Sequence, residues 1–373
     1  MKILHVYKTF LNDSFGGVEQ VIAQLATNSD ACDFEHTVVS LTKNPESVLN
    51  PAGAVKNLRF KETFNIASNA VSFELLRKFG GIAKQYDLIH YHFPWPFADM
   101  LHMLWHIRKP TVLTYHSDIV RQKRMLFFYK PLMHQFLKQM SHIVATSPNY
   151  VATSDILKTY ADKVSVIPIG LNKQSYQLAE PAREAYWRQR FGSGFFLFMG
   201  VMRYYKGLHI LLDALQNTAF PVVLVGTGPT LSELKAHAER LHLSNVHFIG
   251  QVSEEDKVAL LTLSGAVVFP SHLRSEAFGV SLLEGAMFGK ALISSEIGTG
   301  TSYINQNGKT GIVVPPNNPQ ALREAMSFIW HNPEHSAMMG KEAEARYWEL
   351  FTASQMAARY QELYKNLVHR KES

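Results

Sequence analysis

Short apolar runs of four or five residues recur along this chain, and between them apolar positions fall at helical spacing. Residues 3–7, 37–41, 88–91, 111–115 and 143–146 read as strands, and residues 18–25 as a helix. After VIPIGLN at 166–172 a polar stretch runs to about Arg190. The strand pattern then restarts at 195–199, 222–225, 246–249, 266–269 and 291–294. A last periodic segment, 353–367, is a free C-terminal helix. Strands alternating with helices predict parallel sheets covered by helices, hence an α/β chain whose two Rossmann-like halves meet near residue 170. No short-period repeat or low-complexity tract interrupts them.

Composition changes this picture little. With 373 residues, 46% of them apolar, there is material for two cores. The single cysteine, Cys32, excludes a disulfide framework and a cysteine-based zinc site, and fits a reducing compartment. His5 and Lys8 break the first apolar run, and no later segment approaches the roughly 18 uncharged apolar residues of a bilayer span. A cytoplasmic protein, soluble or bound to a surface, is expected. The balance of 37 Lys and Arg against 31 Asp and Glu is too even to imply nucleic acid. One segment is locally basic: residues 119–140, IVRQKRMLFFYKPLMHQFLKQM, set Arg121, Lys123 and Arg124 beside Met125, Leu126, Phe127 and Phe128. It reads as an amphipathic helix that can lie on anionic lipid, or as a core helix with a solvated basic face, and Pro131 interrupts it.

In open parallel sheets ligands bind beyond the carboxyl ends of the strands, so the loops that follow strands carry the candidate chemistry. DSFGGVE, 13–19, places Gly16 and Gly17 at the mouth of a helix, where backbone amides can face an anion; an ordinary strand-to-helix turn explains it equally. TYHSDIV, 114–120, sets His116 and Asp118 directly after a strand. GVMRYYKG, 200–207, carries Arg203 and Lys206, cations that can neutralise a pyrophosphate leaving group or simply face solvent. VGTGP, 225–229, puts Gly226 and Gly228 at a strand end, a loop of close approach.

The densest stretch is SEAFGVSLLEG, 275–285. A helix over 280–288 places Glu284 on the same face as Val280 and Met287, so its carboxylate is not on a solvated face. A buried acid needs partners, and no Lys or Arg lies one turn away in this helix; ligand hydroxyls would supply the missing donors. Glu276 belongs to the preceding loop. The Phe278-Gly279 pair leads into the helix, and the amides of Gly279, Val280 and Ser281 can point at a phosphate. Together these groups would grip a nucleotide sugar.

This stretch resembles the Glu-x7-Glu motif of family 4 of the retaining glycosyltransferases, which have the GT-B fold: two Rossmann-like domains with parallel sheets facing across a cleft. The resemblance covers nearly the whole chain through Gly16-Gly17, His116, IPIG at 167–170, Arg203 with Lys206-Gly207, GTGP, Glu276 and Glu284. KILHVYKTF, YHFPWPFAD, TYHSDIVRQK, TSPNY and GTGTSY are similar to bacterial mannosyltransferases that build O-antigen and related polysaccharides.

The resemblance implies an acceptor-binding domain over 1–169, a nucleotide-sugar domain over 170–352, and a C-terminal helix, 353–373, crossing back to the first. It implies that Glu284 holds the donor ribose and Glu276 contacts the donor sugar. Arg203 and Lys206 bind the diphosphate, with Gly226, Phe278, Gly279 and Val280 lining the donor site. Gly16 and Gly17 leave room for donor phosphate and acceptor, and His116 contacts the transferred sugar or stabilises the transition state. Only Tyr204 and Tyr205 separate Arg203 from Lys206, a shorter gap than the family often has.

The implied reaction moves a hexose, mannose from GDP-mannose, to a polyprenyl-diphosphate-linked oligosaccharide at the inner face of the cytoplasmic membrane. The anomeric configuration is retained, with no metal and no other cofactor. The acceptor-side surface for anionic membrane would be Arg121, Lys123 and Arg124. Domain closure near residue 170 would exclude water. A UDP-sugar donor, a nucleotide-sugar epimerase of the same architecture and a sensor without turnover are the alternatives. A dehydrogenase would need Gly-x-Gly-x-x-Gly after the first strand, where this chain has only Gly16-Gly17.

Overall fold

The computed structural model describes residues 1–11, 13, 16–45, 55–66, 69–118, 123–177 and 179–372, without the side chains of 123–128, 371 and 372. The chain divides into two compact units, Met1–Gly170 with Ala353–Ser373, and Leu171–Thr352.

The first unit is built on β1 (Lys2–Val6), β2 (Glu35–Thr42), β3 (Lys56–Lys61), a two-stranded hairpin of β4 (Phe64–Ile66) and β5 (Asn69–Val71), then β6 (Leu88–Phe93), β7 (Thr111–Tyr115), β8 (His142–Ala145) and β9 (Val164–Val166). Seven of these strands form one parallel sheet in the order β3-β2-β1-β6-β7-β8-β9. The second unit is built on β10 (Phe196–Met199), β11 (Val222–Val225), β12 (Val246–Gly250), β13 (Ala266–Phe269), β14 (Ala291–Ser295) and β15 (Gly311–Val314). They form a parallel sheet in the order β12-β11-β10-β13-β14-β15. In each sheet the strand order reverses beside the first strand, at β1/β6 and at β10/β13. Such a switch point opens the crevice in which ligands settle.

The strands missing from the sequence reading are three of the four edge strands, β3, β9 and β15, and the small hairpin. KNLRFK, the sequence of β3, alternates charge with apolar residues because only part of it is buried. The polar stretch before Arg190 is a helix, Pro181–Phe191, whose one buried side chain is Trp187. Pro131 does not interrupt its segment: the helix Lys123–Gln139 runs through it. A proline inside a helix forfeits one backbone bond, and here the turns beyond it are held by the buried side chains of Met133, Phe136 and Leu137. Arg121 lies outside the described residues, as do the side chains of Lys123 and Arg124.

One face of the first sheet is lined with histidine. Cα pairing sets His36 beside Ile3, His5 beside His90 and His92 beside Thr114, and side chains on such paired positions share a face. His116 continues that row just past β7. A parallel sheet buries both faces, so these rings must find partners in the interior. His90 shares hydrogen bonds with the hydroxyls of Tyr364 (2.7 Å) and Thr114 (2.7 Å), and Thr114 with that of Tyr360 (2.7 Å). The two tyrosines come from the C-terminal helix Ala353–Glu372, which packs beside the helix Gly17–Thr27. Elsewhere in this unit, the buried carboxyl of Asp99, on the helix Pro96–Leu104, takes the hydroxyl of Tyr129. Burial raises the Asp99 pKa to about 8, against the lowering effect of that hydrogen bond.

Burial also holds the histidines neutral. It lowers His36 and His102 to about 4 and His116 to about 3, and puts His5, His90 and His92 well below the ordinary range. In the unfolded chain each ring takes a proton near pH 6.5. The folded state refuses that proton until far lower pH. The stability these rings contribute is therefore complete above about pH 6.5, and below it each costs about 1.4 kcal/mol per pH unit down to its folded pKa. Asp99 works in the opposite direction between about pH 4 and 8, but it is one group against six. Thermal melts are expected to be flat near pH 7.5 and to fall steeply between pH 6.5 and 5. A melting temperature unchanged across that interval would mean the rings are charged or solvated in the folded state.

Candidate active site

In the second unit the loops that follow β10, β11 and β13 are bound to one another by backbone. Met202 N–H donates to the Thr227 carbonyl (2.8 Å), and the Thr230 hydroxyl to that of Met202 (2.8 Å). Gly226 has φ of 124°, and a Cβ there would collide with the Gly200 carbonyl. Gly207, at φ 70°, would likewise strike the Pro270 carbonyl. Both positions demand glycine because another loop passes too close for a side chain. The close approach expected at Gly226 is thus already made by the protein itself.

These contacts fix the segment that bears the cations. Arg203 caps a single turn of 3-10 helix, Tyr204–Lys206, so the short gap turns the two charges differently. The Arg203 side chain is exposed, and its guanidinium makes no hydrogen bond or ion pair among the described residues. It borders a cavity of about 200 Å³ shared with Tyr204, His209, Glu233, His237 and Arg240. Lys206 turns inward and pairs with Glu276, both side chains 11% exposed. Its ammonium lies 4.7 Å from the centroid of the Phe269 ring. The Ser271 hydroxyl also donates to Glu276 Oε2 (3.3 Å). His272 secures the turn from behind, donating Nε2–H to the Tyr204 carbonyl (3.1 Å) and its backbone N–H to that of Tyr205 (3.0 Å). Expected to meet the ligand separately, Lys206 and Glu276 instead hold each other: an unpaired charge at such depth is too costly to keep.

Glu284 is carried by the helix Val280–Met287, with Gly279 as its cap. It is buried as the spacing predicts, but its donors are not left to a ligand. The Tyr176 hydroxyl (2.8 Å) and the Lys257 ammonium (3.1 Å) both reach Oε1. Oε2 accepts nothing among the described residues. Burial opposes the charge on Lys257, yet the carboxylates of Glu284 and Glu254 outweigh it and hold the ammonium above its ordinary pKa. Lys257 is aimed by its own helix, Glu254–Leu263, which docks on Pro181–Phe191 where Trp187 Nε1–H donates to Asp256 (2.9 Å). Phe278 is buried as packing, its ring 6.1 Å from that of Phe351.

In the first unit, Gly16 caps the helix Gly17–Thr27, but the turn is not an open anion cradle. The carboxylate of Glu19, which accepts the Thr9 hydroxyl (2.6 Å), lies where a Cβ on Gly16 would go. A negative group there opposes a phosphate. His116 is buried at the end of β7, its Nε2 3.0 Å from His92 Nδ1. His5, His90 and His92 have ring nitrogens within 4.8 Å of one another, a spacing a metal ion could bridge, although all of these nitrogens are engaged in hydrogen bonds.

Known proteins share both halves of this arrangement. Residues 15–175 match the family described as "Glycosyltransferase Family 4", and residues 187–346 match "Glycosyl transferases group 1". D-rhamnosyltransferase WbpZ of Pseudomonas aeruginosa is 54% identical over 95% of this chain and 93% of its own. The chain is a glycosyltransferase of this family. O-antigen chain mannosyltransferase C of Escherichia coli is 49% identical over the full length of both proteins. Among solved structures, sucrose-phosphate synthase from Thermosynechococcus elongatus superposes with a TM-score of 0.81 at 19% identity, covering 99% of each chain. HepE of Anabaena, in complex with UDP and glucose, gives 0.78 at 21% identity, covering 98% of this chain and 99% of its own. The fold is GT-B.

Sequence reasoning found both acids of this glycosyltransferase and missed three of the groups that hold them: Lys257, Tyr176 and Ser271. Lys257 and Tyr176 come from distant segments, and Ser271 is a lone serine in the loop before the motif, so no local pattern marks them. The pairing gives a direct expectation. Replacing Lys257 with Met leaves Glu284 buried beside one hydroxyl, and should destabilise the protein by about 3 kcal/mol. Tyr176→Phe should cost about 1 kcal/mol. Urea denaturation followed by tryptophan fluorescence measures both, and equal small losses would mean the ion pair is solvated.

Proposed function

We propose that this glycosyltransferase transfers mannose from GDP-mannose to a hydroxyl of a lipid-linked oligosaccharide in O-antigen assembly, with retention of the anomeric configuration. The observation that carries this reading is the full-length likeness to the E. coli mannosyltransferase. D-rhamnose is 6-deoxy-D-mannose, so the name of the Pseudomonas relative points to a sugar of the same ring stereochemistry. Its higher identity favours a second reading, in which the donor sugar lacks the C6 hydroxyl.

The second unit supplies the donor grip. Glu284 Oε2 accepts the ribose hydroxyls, the amides of Gly279, Val280 and Ser281 face the diphosphate, and the unengaged Arg203 guanidinium closes on it. Lys206 waits in its pair with Glu276. Charge building on the diphosphate as the glycosidic bond breaks draws the ammonium partly away, which frees Glu276 for the sugar hydroxyls. Both carboxylates are engaged by lysines, so neither is a nucleophile in waiting. The leaving diphosphate takes the proton of the incoming hydroxyl, and His116 contacts the transferred sugar. The first unit receives the acceptor. A polyprenyl tether sets the work at the inner face of the cytoplasmic membrane, with residues 119–140 as the surface of approach. Among the described residues no helix is long and apolar enough to cross a membrane.

Calorimetric titration in EDTA with GDP-mannose, GDP-D-rhamnose, GDP-fucose and UDP-glucose tests the donor. Selective metal-free binding of GDP-mannose is expected, weakened by about 1.5–3 kcal/mol in Glu284→Ala. Preference for GDP-D-rhamnose would select the second reading, and preference for a UDP sugar would remove both. Lys206→Ala should bind donor but turn over about 100-fold more slowly; normal turnover would take Lys206 out of leaving-group stabilisation.

A further inference from the structure

Four histidines on the buried face of the first sheet form one continuous hydrogen-bonded row. His36 Nδ1 meets His5 Nε2 at 2.8 Å, His5 Nδ1 meets His92 Nε2 at 3.1 Å, and His92 Nδ1 meets His116 Nε2 at 3.0 Å. Every link joins the Nδ1 of one ring to the Nε2 of the next. A neutral imidazole carries one proton, and each link needs one. Only two arrangements therefore satisfy all three links. Either every ring is protonated on Nδ1, or every ring is protonated on Nε2.

The ends of the row decide between them. His36 Nε2 is buried and has no hydrogen-bond partner among the described residues. His116 Nδ1, at the carboxyl end of β7, makes no hydrogen bond there either. With all protons on Nε2, the His36 end would bury an unsatisfied N–H, the defect proteins tolerate least. With all protons on Nδ1 that end buries only a lone pair. Aligned links also polarise one another, which strengthens the row as a unit.

We propose that His36, His5 and His92 are positioning residues that order the row so that His116 presents an Nδ1–H donor. This rests on the reading of His116 as a contact to the transferred sugar. Its consequence is that His116 donates to a sugar oxygen and cannot act as the base that takes the acceptor proton.

The full-length protein labelled with ¹⁵N-histidine reports the tautomers directly at pH 7.5. The expected spectrum shows all four rings protonated on Nδ1; Nε2–H on any of them overturns the proposal. His36→Asp places at the far end a carboxylate that can only accept, so it should draw His5 Nε2–H and reverse the row. His116 would then present a lone pair, and kcat should fall about tenfold, the scale of one lost hydrogen bond to the sugar. Affinity for GDP alone should not change. His36→Asn, whose amide N–H stands in for the ring Nδ1–H, should restore both the tautomer and the rate lost in His36→Asp. A reversed row with undiminished kcat would overturn the sugar contact and leave the tautomer order standing. An unreversed row in a folded His36→Asp protein would overturn the coupling itself.

Discussion

A sheet covered on both faces leaves no water for a polar ring, and the first unit is arranged around that constraint. His5, His90 and His92 occupy central strands, where aliphatic side chains would be the ordinary choice. Each imidazole must be matched at both nitrogens, so the partners are other histidines, Thr114, and the tyrosines of the C-terminal helix. This explains why residues after Ala353 belong to the first unit although they follow the second in sequence. Tyr364 bonds His90 and Tyr360 bonds Thr114, so the helix is held by geometry as well as by apolar area.

The second unit meets the same demand with charge. Lys206 with Glu276, from the loops after the neighbouring strands β10 and β13, and Lys257 with Glu284, from the helices Glu254–Leu263 and Val280–Met287, are inward-facing ion pairs. Such pairs are weak contributors to net stability, because desolvation offsets their attraction. What they do provide is defined position. Glu284 has Oε1 held by two donors and Oε2 by none among the described residues, a more defined orientation than a free, rotating carboxylate has. Lys206 is likewise fixed, its ammonium held between the Glu276 carboxylate and the Phe269 ring.

The loops bearing these groups are immobilised by their neighbours. Gly207 lies against the Pro270 carbonyl and Gly226 against that of Gly200, while His272 holds the carbonyl of Tyr204 and the backbone of Tyr205. Precision of this kind normally requires a site built on helices or strands. Here three loops achieve it by backbone contact, and the rigid parts of the sheet extend beyond the strand ends.

This also explains what could be read from sequence. The inner strands were legible because burial on both faces makes them apolar runs, whereas β3, β9 and β15 are short or mixed in character. The two acids were legible because their spacing survives as a local pattern on one helix and its preceding loop. Their lysine partners were not, since Lys257 lies 27 residues before Glu284 and reaches it only through the docking of Trp187 on Asp256. The glycines were visible as glycines, but a sequence does not say whether the close approach comes from a ligand or from another loop. The histidines misled most: His5 looked like a polar break in the first strand, while in the fold it is the second of four rings. Periodicity assigns a side chain to a face; whether that face is wet, dry or hydrogen-bonded depends on strands that only the tertiary structure brings alongside.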